Sequence, residues 1–271
     1  MRYFLLSLLL IFPNLASAQE LVEFENGQVA DADMINENFS ALLSRIDQLE
    51  LWRDRFVAAQ DGLIAHWNFD SCDGADRSRN GYDAEIFGNP ACVSGVIGAA
   101  LALNEATPDY LLTSKDLKLD GTSYTLTSWA YIDEFVGDWE CVISRQKTDG
   151  LTALDAYSLC VRANGSVYFW LSDPNQRSVV CCNVSAEKWV HLAVVVDAGA
   201  GAIYLNGEQS KTFEAFPIES SDDIQVCLGC NDYTASEVPI HNFNGKLDDV
   251  RVYNRALSQT EIASLFELGS F

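Results

Sequence analysis

Trp189-Val-His-Leu-Ala-Val-Val-Val-Asp197 is a nine-residue apolar run that ends on a polar residue, and Ala202-Ile-Tyr-Leu205 follows it and leads into Asn206-Gly207. Apolar runs of this length, bounded by turn residues, read as strands. Asn-Gly closes a hairpin because both residues tolerate positive φ. Working outward, the same alternation extends from Asp61-Gly62 almost to the end of the chain. The predicted strands are Leu63 to Phe69, Tyr124 to Ile132, Cys141 to Arg145, Tyr157 to Ala163, Ser166 to Ser172, Val179 to Val184, Trp189 to Asp197, Ala202 to Leu205, Ile224 to Leu228 and Lys246 to Tyr253. Asn164-Gly165 marks a second hairpin. Many strands without intervening helices make a sandwich or barrel, not a parallel sheet. Ser258-Gln-Thr-Glu261 is a capping box ahead of Ile262, Leu265 and Phe266, so a short helix closes the domain.

The N-terminal side has a different period. Ile35, Phe39, Leu42, Ile46, Leu49 and Phe56 step by four and three, with Arg53 at the remaining place. This is a heptad stripe with Phe39 and Ile46 at a, and Ile35, Leu42 and Leu49 at d. It suits either an amphipathic helix packed on its own domain or a short coiled coil that makes a homo-oligomer, dimer or trimer, through residues 33–56. Before it, residues 19 to 32 read as extended and polar. Arg2, the apolar run Phe4 to Phe12 and Ala16-Ser17-Ala18 read as an export signal over residues 1–18, with a mature chain starting near Gln19 that is secreted or periplasmic. The apolar run is too short for a membrane span.

The chain has 271 residues, 39 acidic and 17 basic, for a net charge of -22. Loss of Arg2 with the signal leaves 39 acidic and 16 basic residues, or -23. No cationic footprint for nucleic acid remains, and anionic lipid is disfavoured as well. The hydrophobic share of 48% supports a real core, so the acidity is not that of a disordered tail.

Eight cysteines, Cys72, Cys92, Cys141, Cys160, Cys181, Cys182, Cys227 and Cys230, all follow residue 70. An even number in an exported chain means disulfides. Zinc held by Cys181, Cys182, Cys227 and Cys230 is the rival reading, and adjacent cysteines suit a tetrahedral ion poorly. Cys72 with Cys92 and Cys141 with Cys160 are the favoured pairs, and the other four allow three pairings.

Several segments match one family in order. Gly62-Leu-Ile-Ala-His-Trp-Asn-Phe-Asp70 precedes Asp76-Arg-Ser-Arg-Asn-Gly81, then Tyr124-Thr-Leu-Thr-Ser-Trp-Ala130, the Trp189–Asp197 run and Ile203-Tyr-Leu-Asn-Gly207. Phe243-Asn-Gly-Lys-Leu-Asp-Asp-Val-Arg-Val-Tyr-Asn-Arg-Ala-Leu-Ser258 follows, running into Glu261-Ile262. Residues 61–271 thereby resemble a laminin-G-like jelly roll of the concanavalin A-like lectin/glucanase superfamily. The resemblance implies an all-β antiparallel jelly-roll sandwich, here preceded by one N-terminal helix and closed by a short C-terminal one. It also implies binding of a glycan or an extracellular protein, a role in adhesion, and a structural calcium. It places the loop Asp70, Asp73, Asp76 and Asn80 near Asp248, and Asp70, Asp76, Asn80 and Asp248 are the expected calcium ligands. By strand parity Asp248 should point inward with Val250 and Val252; otherwise Asp76 and Asn80 are turn formers and Asp248 pairs with an arginine.

Four aromatic residues are candidates for a ligand. Tyr168 and Trp170 alternate with Val167, Phe169 and Leu171; Tyr204 alternates with Ile203 and Leu205; Trp139 sits in a Gly-containing loop. Flat rings on a sheet can stack on sugars, although a loop or the N-terminal helix could equally bury them. Glucanases on this fold need paired carboxylates resembling E-x-D-x-E on one strand, and no such run occurs. Asp133, Glu134, Asp138 and Glu140 lie in a loop, and Asp222-Asp223 lacks a third member. His66, His191 and His241 are the three histidines, and His191 sits in a strand where a satisfied structural role is expected. The expected function is therefore non-catalytic recognition, with a structural or assembly role as the alternative and glycoside hydrolysis as a more distant one.

Overall fold

The computed structural model describes residues 31–107, 109–117, 119, 122–136, 139–148, 153–171, 178–215, 225–234 and 239–269. The signal and extended segment through residue 30, together with Asp138, Asp222 and Asp223, lie outside the described residues. The chain divides into two compact units, one ending at Asp61 and one spanning Gly62–Ser270.

Among the described residues the first unit contains one helix, α1 (Ala32–Ala58). The Asp31 side chain accepts a bond from the Asp33 backbone N–H at 2.8 Å and so caps it. Phe39, Leu42, Ile46 and Leu49 of the heptad stripe are all exposed, Phe39 by 61%. Among the described residues no helix is long and apolar enough to cross a membrane.

The second unit runs β1 (Leu63–Trp67), β2 (Ala84–Phe87), β3 (Ala91–Ser94), β4 (Ala99–Leu103), β5 (Tyr110–Asp116), β6 (Ser123–Ile132), β7 (Glu140–Thr148), β8 (Ala153–Val161), β9 (Ser166–Leu171), β10 (Ser178–Asn183), β11 (Trp189–Asp197), β12 (Ala200–Leu205), β13 (Glu208–Glu214), β14 (Gln225–Leu228), β15 (Cys230–Thr234), β16 (Pro239–Asn242), β17 (Gly245–Tyr253) and α2 (Gln259–Leu268). One sheet has the order β13-β12-β11-β6-β17-β4-β3, with β1 also on β17. The other has the order β10-β9-β8-β7-β14-β5-β2, with β15 and β16 attached. Pairing is antiparallel except where β15 runs parallel to β7. This is the jelly-roll sandwich that the strand count predicts.

The core fills the space between the sheets through side-chain alternation along the strands, interrupted at bulges. Leu126, Ala130 and Ile132 of β6, Leu192, Val194 and Val196 of β11 and Val250 and Val252 of β17 face Phe169, Leu159 and Val142 of the opposite sheet's strands within one apolar cluster. Every predicted strand is present. The sequence reading missed β2, β3, β4, β5, β13, β15 and β16. In β13, Glu208–Glu214, six of the seven residues are exposed, so it has no apolar face to read and is held by backbone pairing with β12. The predicted capping box is formed: Ser258 and Glu261 exchange side-chain-to-backbone bonds at the start of α2.

The cysteines are joined as Cys72–Cys92, Cys141–Cys160, Cys181–Cys182 and Cys227–Cys230. The two favoured pairs are found, and the open pairing resolves to neighbours in sequence. No free thiol remains for zinc.

Candidate functional site

Strand register determines which side chains share the outer face of the β10–β2 sheet. Val167, Phe169 and Leu171 enter the core, so Tyr168 and Trp170 point the other way. Across the strands Cys160, Tyr168 and Val180 stand side by side, as do Ser158, Trp170 and Ser178. The Cys141–Cys160 disulfide extends the first row onto β7. At the hairpin end the Arg162 N–H donates to the Ser166 carbonyl, and Ser166 Oγ donates to Asn183 Oδ1.

This part of the face is aromatic. The Trp139 ring meets Tyr168 edge-on, with centroids 5.2 Å apart and planes at 86°. The Arg162 guanidinium lies 4.6 Å from the Trp139 centroid and 5.3 Å from that of Tyr168, and its Nη1 donates to the Tyr168 hydroxyl at 3.4 Å. Cation–π contact holds such a guanidinium against the rings. Val180 is exposed, and the Trp170 indole N–H has no partner. The far half of the same face is closed: Tyr110, Leu112, Cys227 and Cys230 form a second small cluster, with Phe87 stacked on Tyr110 at 4.8 Å.

Of the four predicted ligand aromatics, the structure brings Trp139 and Tyr168 into contact and puts Trp170 on the same face. Tyr204 is elsewhere, on the outside of the other sheet beside Ala193, and it is only 6% exposed. Sequence reading missed Arg162. Leu159 and Val161 are core residues, so the alternation that turns Cys160 away from the core also turns Arg162 that way, and this signal was present in the sequence.

The expected cation ligands fall into two groups. Asp70 and Asp248 converge on the turn between β3 and β4. Asp70 Oδ1 accepts from the Ala99 N–H at 3.0 Å, and Asp248 Oδ2 accepts from Val96 and Ile97 at 2.8 and 2.9 Å. A Cβ on Gly95 would strike Asp248, and one on Gly98, whose φ is +67°, would strike Asp70, so glycine lets the turn approach both carboxylates. Asp248 Oδ1 is buried with no partner. Burial raises the Asp248 carboxyl to about 7, and the charges of Asp249 and Asp70 add to this against the two backbone bonds. An orphaned carboxylate oxygen beside a second carboxylate fits a hard cation.

Asp76 and Asn80 are engaged in the loop itself. Asp76 accepts from the N–H groups of His66, Ser78 and Tyr82 and from Ser78 Oγ. Burial opposes its charge, but these bonds outweigh that and hold its carboxyl below the usual range. Asn80 Nδ2 donates to the carbonyls of Leu63 and Ile64. Among the described residues, no three His, Cys, Asp or Glu side chains are grouped to hold a metal.

The parity expectation for Asp248 needs correction. Between Asp248 and Arg251, β17 carries one residue more than β6 opposite, and Asp249 takes φ +49°. This bulge resets the alternation, so Leu247, Val250 and Val252 face the core while Asp248 pairs with Trp129 on the outer side. It coincides with the place where β17 changes partner from β4 to β1. Asp249 accepts from Arg251 Nη2 at 2.9 Å, and its Oδ1 lies 2.7 Å from His66 Nε2. Burial would raise its carboxyl, but Arg251 and His66 hold it far below the usual range. Beside this cluster, Trp129 packs against His191 and Phe266 of α2.

Two of the carboxylates considered for glycosidase chemistry are engaged in structural bonds. Glu140 is fully buried and accepts from the Asn244 N–H at 2.8 Å, and Asp133 pairs with Lys246 at 2.8 Å.

Solved structures with the same architecture include domain 4 of AbnA, an extracellular GH43 arabinanase of Geobacillus stearothermophilus, in complex with arabinotriose. Its TM-score is 0.60 at 23% identity, covering 75% of this chain and 97% of that one. The binding domain of Paraclostridial Mosquitocidal Protein 1 aligns with TM-score 0.60 at 15% identity, over 76% of this chain and 52% of that one. The binding domain of botulinum neurotoxin DC, in complex with rat synaptotagmin II, aligns with TM-score 0.59 at 16% identity, over 78% and 53%. The chain thus spans about half the length of these toxin domains, and the likeness is one of fold. No curated protein sequence matches. The laminin G family model of the concanavalin A-like lectin/glucanases superfamily matches residues 105–263, more than half of the sequence. The chain belongs to the concanavalin A-like lectin/glucanase superfamily.

Proposed function

We propose that this protein is an exported, non-catalytic recognition module that binds glycan through the outer face of the β10–β2 sheet. The observation that carries the reading is the Trp139–Arg162–Tyr168 cluster, with Trp170 beside it, on the half of that face left uncovered by the Tyr110–Cys230 cluster. Rings offer the apolar face that a sugar stacks on, and the exposed hydroxyl of Ser178 and amide of Asn183 supply polar contacts. A fold relative in complex with arabinotriose and another that is a toxin's binding domain support this, as do the structural bonds of Glu140 and Asp133. Four disulfides suit the oxidising compartment that the export signal implies. Calcium would sit at Asp70 and Asp248, neutralise them and fix the β3–β4 turn, while Asp76 and Asn80 shape the adjoining loop.

The exposed heptad stripe of α1 supports an oligomeric stalk. Parallel pairing would set Arg45 at g against Glu50 at e of the next chain. Several weak sites on one oligomer then act together. The test is a glycan array with the full chain, with and without calcium, followed by titration of Trp139→Ala and Tyr168→Ala. Each substitution is expected to weaken binding by about tenfold or more at unchanged melting temperature. An array that stays blank in both conditions overturns the glycan reading and leaves the assembly role.

A further inference from the structure

We infer that the glycan recognised by this face carries a carboxylate, and that Arg162 is the residue that receives it. The inference rests on the platform reading above and narrows its ligand to an acidic sugar. Arg77, Arg145, Arg251 and Arg255 are each held by a carboxylate of this chain, at 2.8, 2.6, 2.9 and 2.6 Å. Although the sequence carries 39 acidic side chains against 17 basic ones, Arg162, like the exposed Arg79 between β1 and β2, has no carboxylate partner among the described residues, but only Arg162 of the two is held by aromatic rings on this face. Its contacts are two aromatic rings and one long bond to a phenol, 3.4 Å from Tyr168 Oη.

Those contacts orient the guanidinium without using up its donors. A guanidinium has five N–H groups in a planar fork that matches a carboxylate with two parallel bonds. Rings on one side hold the fork in place and leave its remaining edge for a ligand. A sugar stacked along Tyr168 and Trp170 would bring an equatorial carboxylate within reach of that edge. The net charge of -22 repels anions at long range, so selection for an acidic sugar has to be local, at Arg162 among the rings.

The test titrates the full chain with oligogalacturonate, with its methyl-esterified and hence neutral form, and with a sulfated galactan of similar length. The free acid should bind about tenfold or more tighter than the ester. Arg162→Gln should abolish that preference at unchanged melting temperature, bringing acid and ester to equal affinity even where loss of its contacts with Trp139 and Tyr168 weakens both. Arg162→Lys should restore only part of it, because an ammonium lacks the planar fork. Equal binding of acid and ester, or a preference that survives Arg162→Gln, overturns the inference and leaves a neutral-sugar platform in place. Tighter binding of the sulfated chain than of the acid overturns the carboxylate assignment. Failure of all three sugars, with a blank array, removes the platform reading itself.

Discussion

Arg145 holds Asp116 at two points, Nε donating to Oδ1 at 2.6 Å and Nη2 to Oδ2 at 2.9 Å, with both side chains buried. Tyr157 lies opposite Arg145 on β8, and its hydroxyl donates to the Leu117 carbonyl at 3.2 Å. Removing one partner of a buried pair strands the other charge and costs about 3–5 kcal/mol, whereas replacing both with apolar groups is close to neutral. Asp116→Ala is therefore expected to lower the urea midpoint strongly, and Asp116→Leu combined with Arg145→Met to recover most of it. A shift of under about 1 kcal/mol for Asp116→Ala would show that the pair is not isolated from water.

A second expectation concerns acid. Burial pushes the His191 imidazole down to about 4, with the Asp249 carboxylate acting against it, and Nδ1 has no partner. The unfolded chain takes up that proton near the ordinary value of 6.5. Between these two values the unfolded state binds more protons than the folded one, so stability falls as pH falls. His191 should leave stability intact above about pH 6.5 and cost about 3 kcal/mol by pH 4. Denaturant melts of wild type and His191→Phe across this range check it: the variant should show a shallower decline. Parallel curves would place the acid sensitivity elsewhere.

The turn held by Asp70 and Asp248 leads to a third. Calcium at a hundred times its dissociation constant stabilises the folded state by about 2.7 kcal/mol. In a domain of this size that raises the melting temperature by about 5–10 °C. The gain should vanish in Asp248→Asn and shrink in Asp70→Asn, while Asn80→Ala should keep it. Identical wild-type melts in calcium and in chelator would remove the cation from the turn.

The apolar seam of α1 leads to a fourth. Replacing Leu42 and Ile46 with aspartate puts charge on adjacent d and a positions. Sedimentation should report an oligomer for the full chain and a monomer for the double variant, with the jelly roll still melting at its usual temperature. Equal stoichiometry would mean that the stripe covers something other than a second copy.

Adjacent disulfide formation is checked directly. Cleavage after Arg177 and Lys188 releases Ser178–Lys188, which contains both Cys181 and Cys182. Without reduction this peptide should appear alone and lighter than its dithiol by two hydrogen atoms. Recovery joined to a peptide bearing Cys227 or Cys230 would refute the pairing.

What the sequence made legible follows from how each feature is encoded. Trp189–Asp197 and Lys246–Tyr253 were readable because burial on a sheet face leaves an apolar pattern, and Asn206-Gly207 because its backbone conformation demands those residue types. β13 leaves no such pattern, and β4 has alanine, which carries little strand preference, at three of its five positions. The bulge at Asp249 was hidden because nothing in Asp-Asp-Val announces an extra residue; only the partner strand reveals it, and the facing of Asp248 was misread as a result. In the candidate site, Trp139, Tyr168 and Trp170 were found as individual aromatics. Their grouping around Arg162 depends on the register of β8 against β9 and on the start of β7, which local pattern does not fix.

The position of β17 has a consequence for how the chain is made. The last strand lies between β6 on one side and both β4 and β1 on the other, so the first-formed strands wait for the final one. A nascent chain that has not yet delivered residue 245 leaves the inner edges of β6 and β4 open and cannot complete that sheet. Completion of that sheet is thereby deferred until synthesis is nearly finished. The four cystines do not conflict with this order, since each joins cysteines consecutive in the chain and none ties an early segment to a late one before the sheet can close.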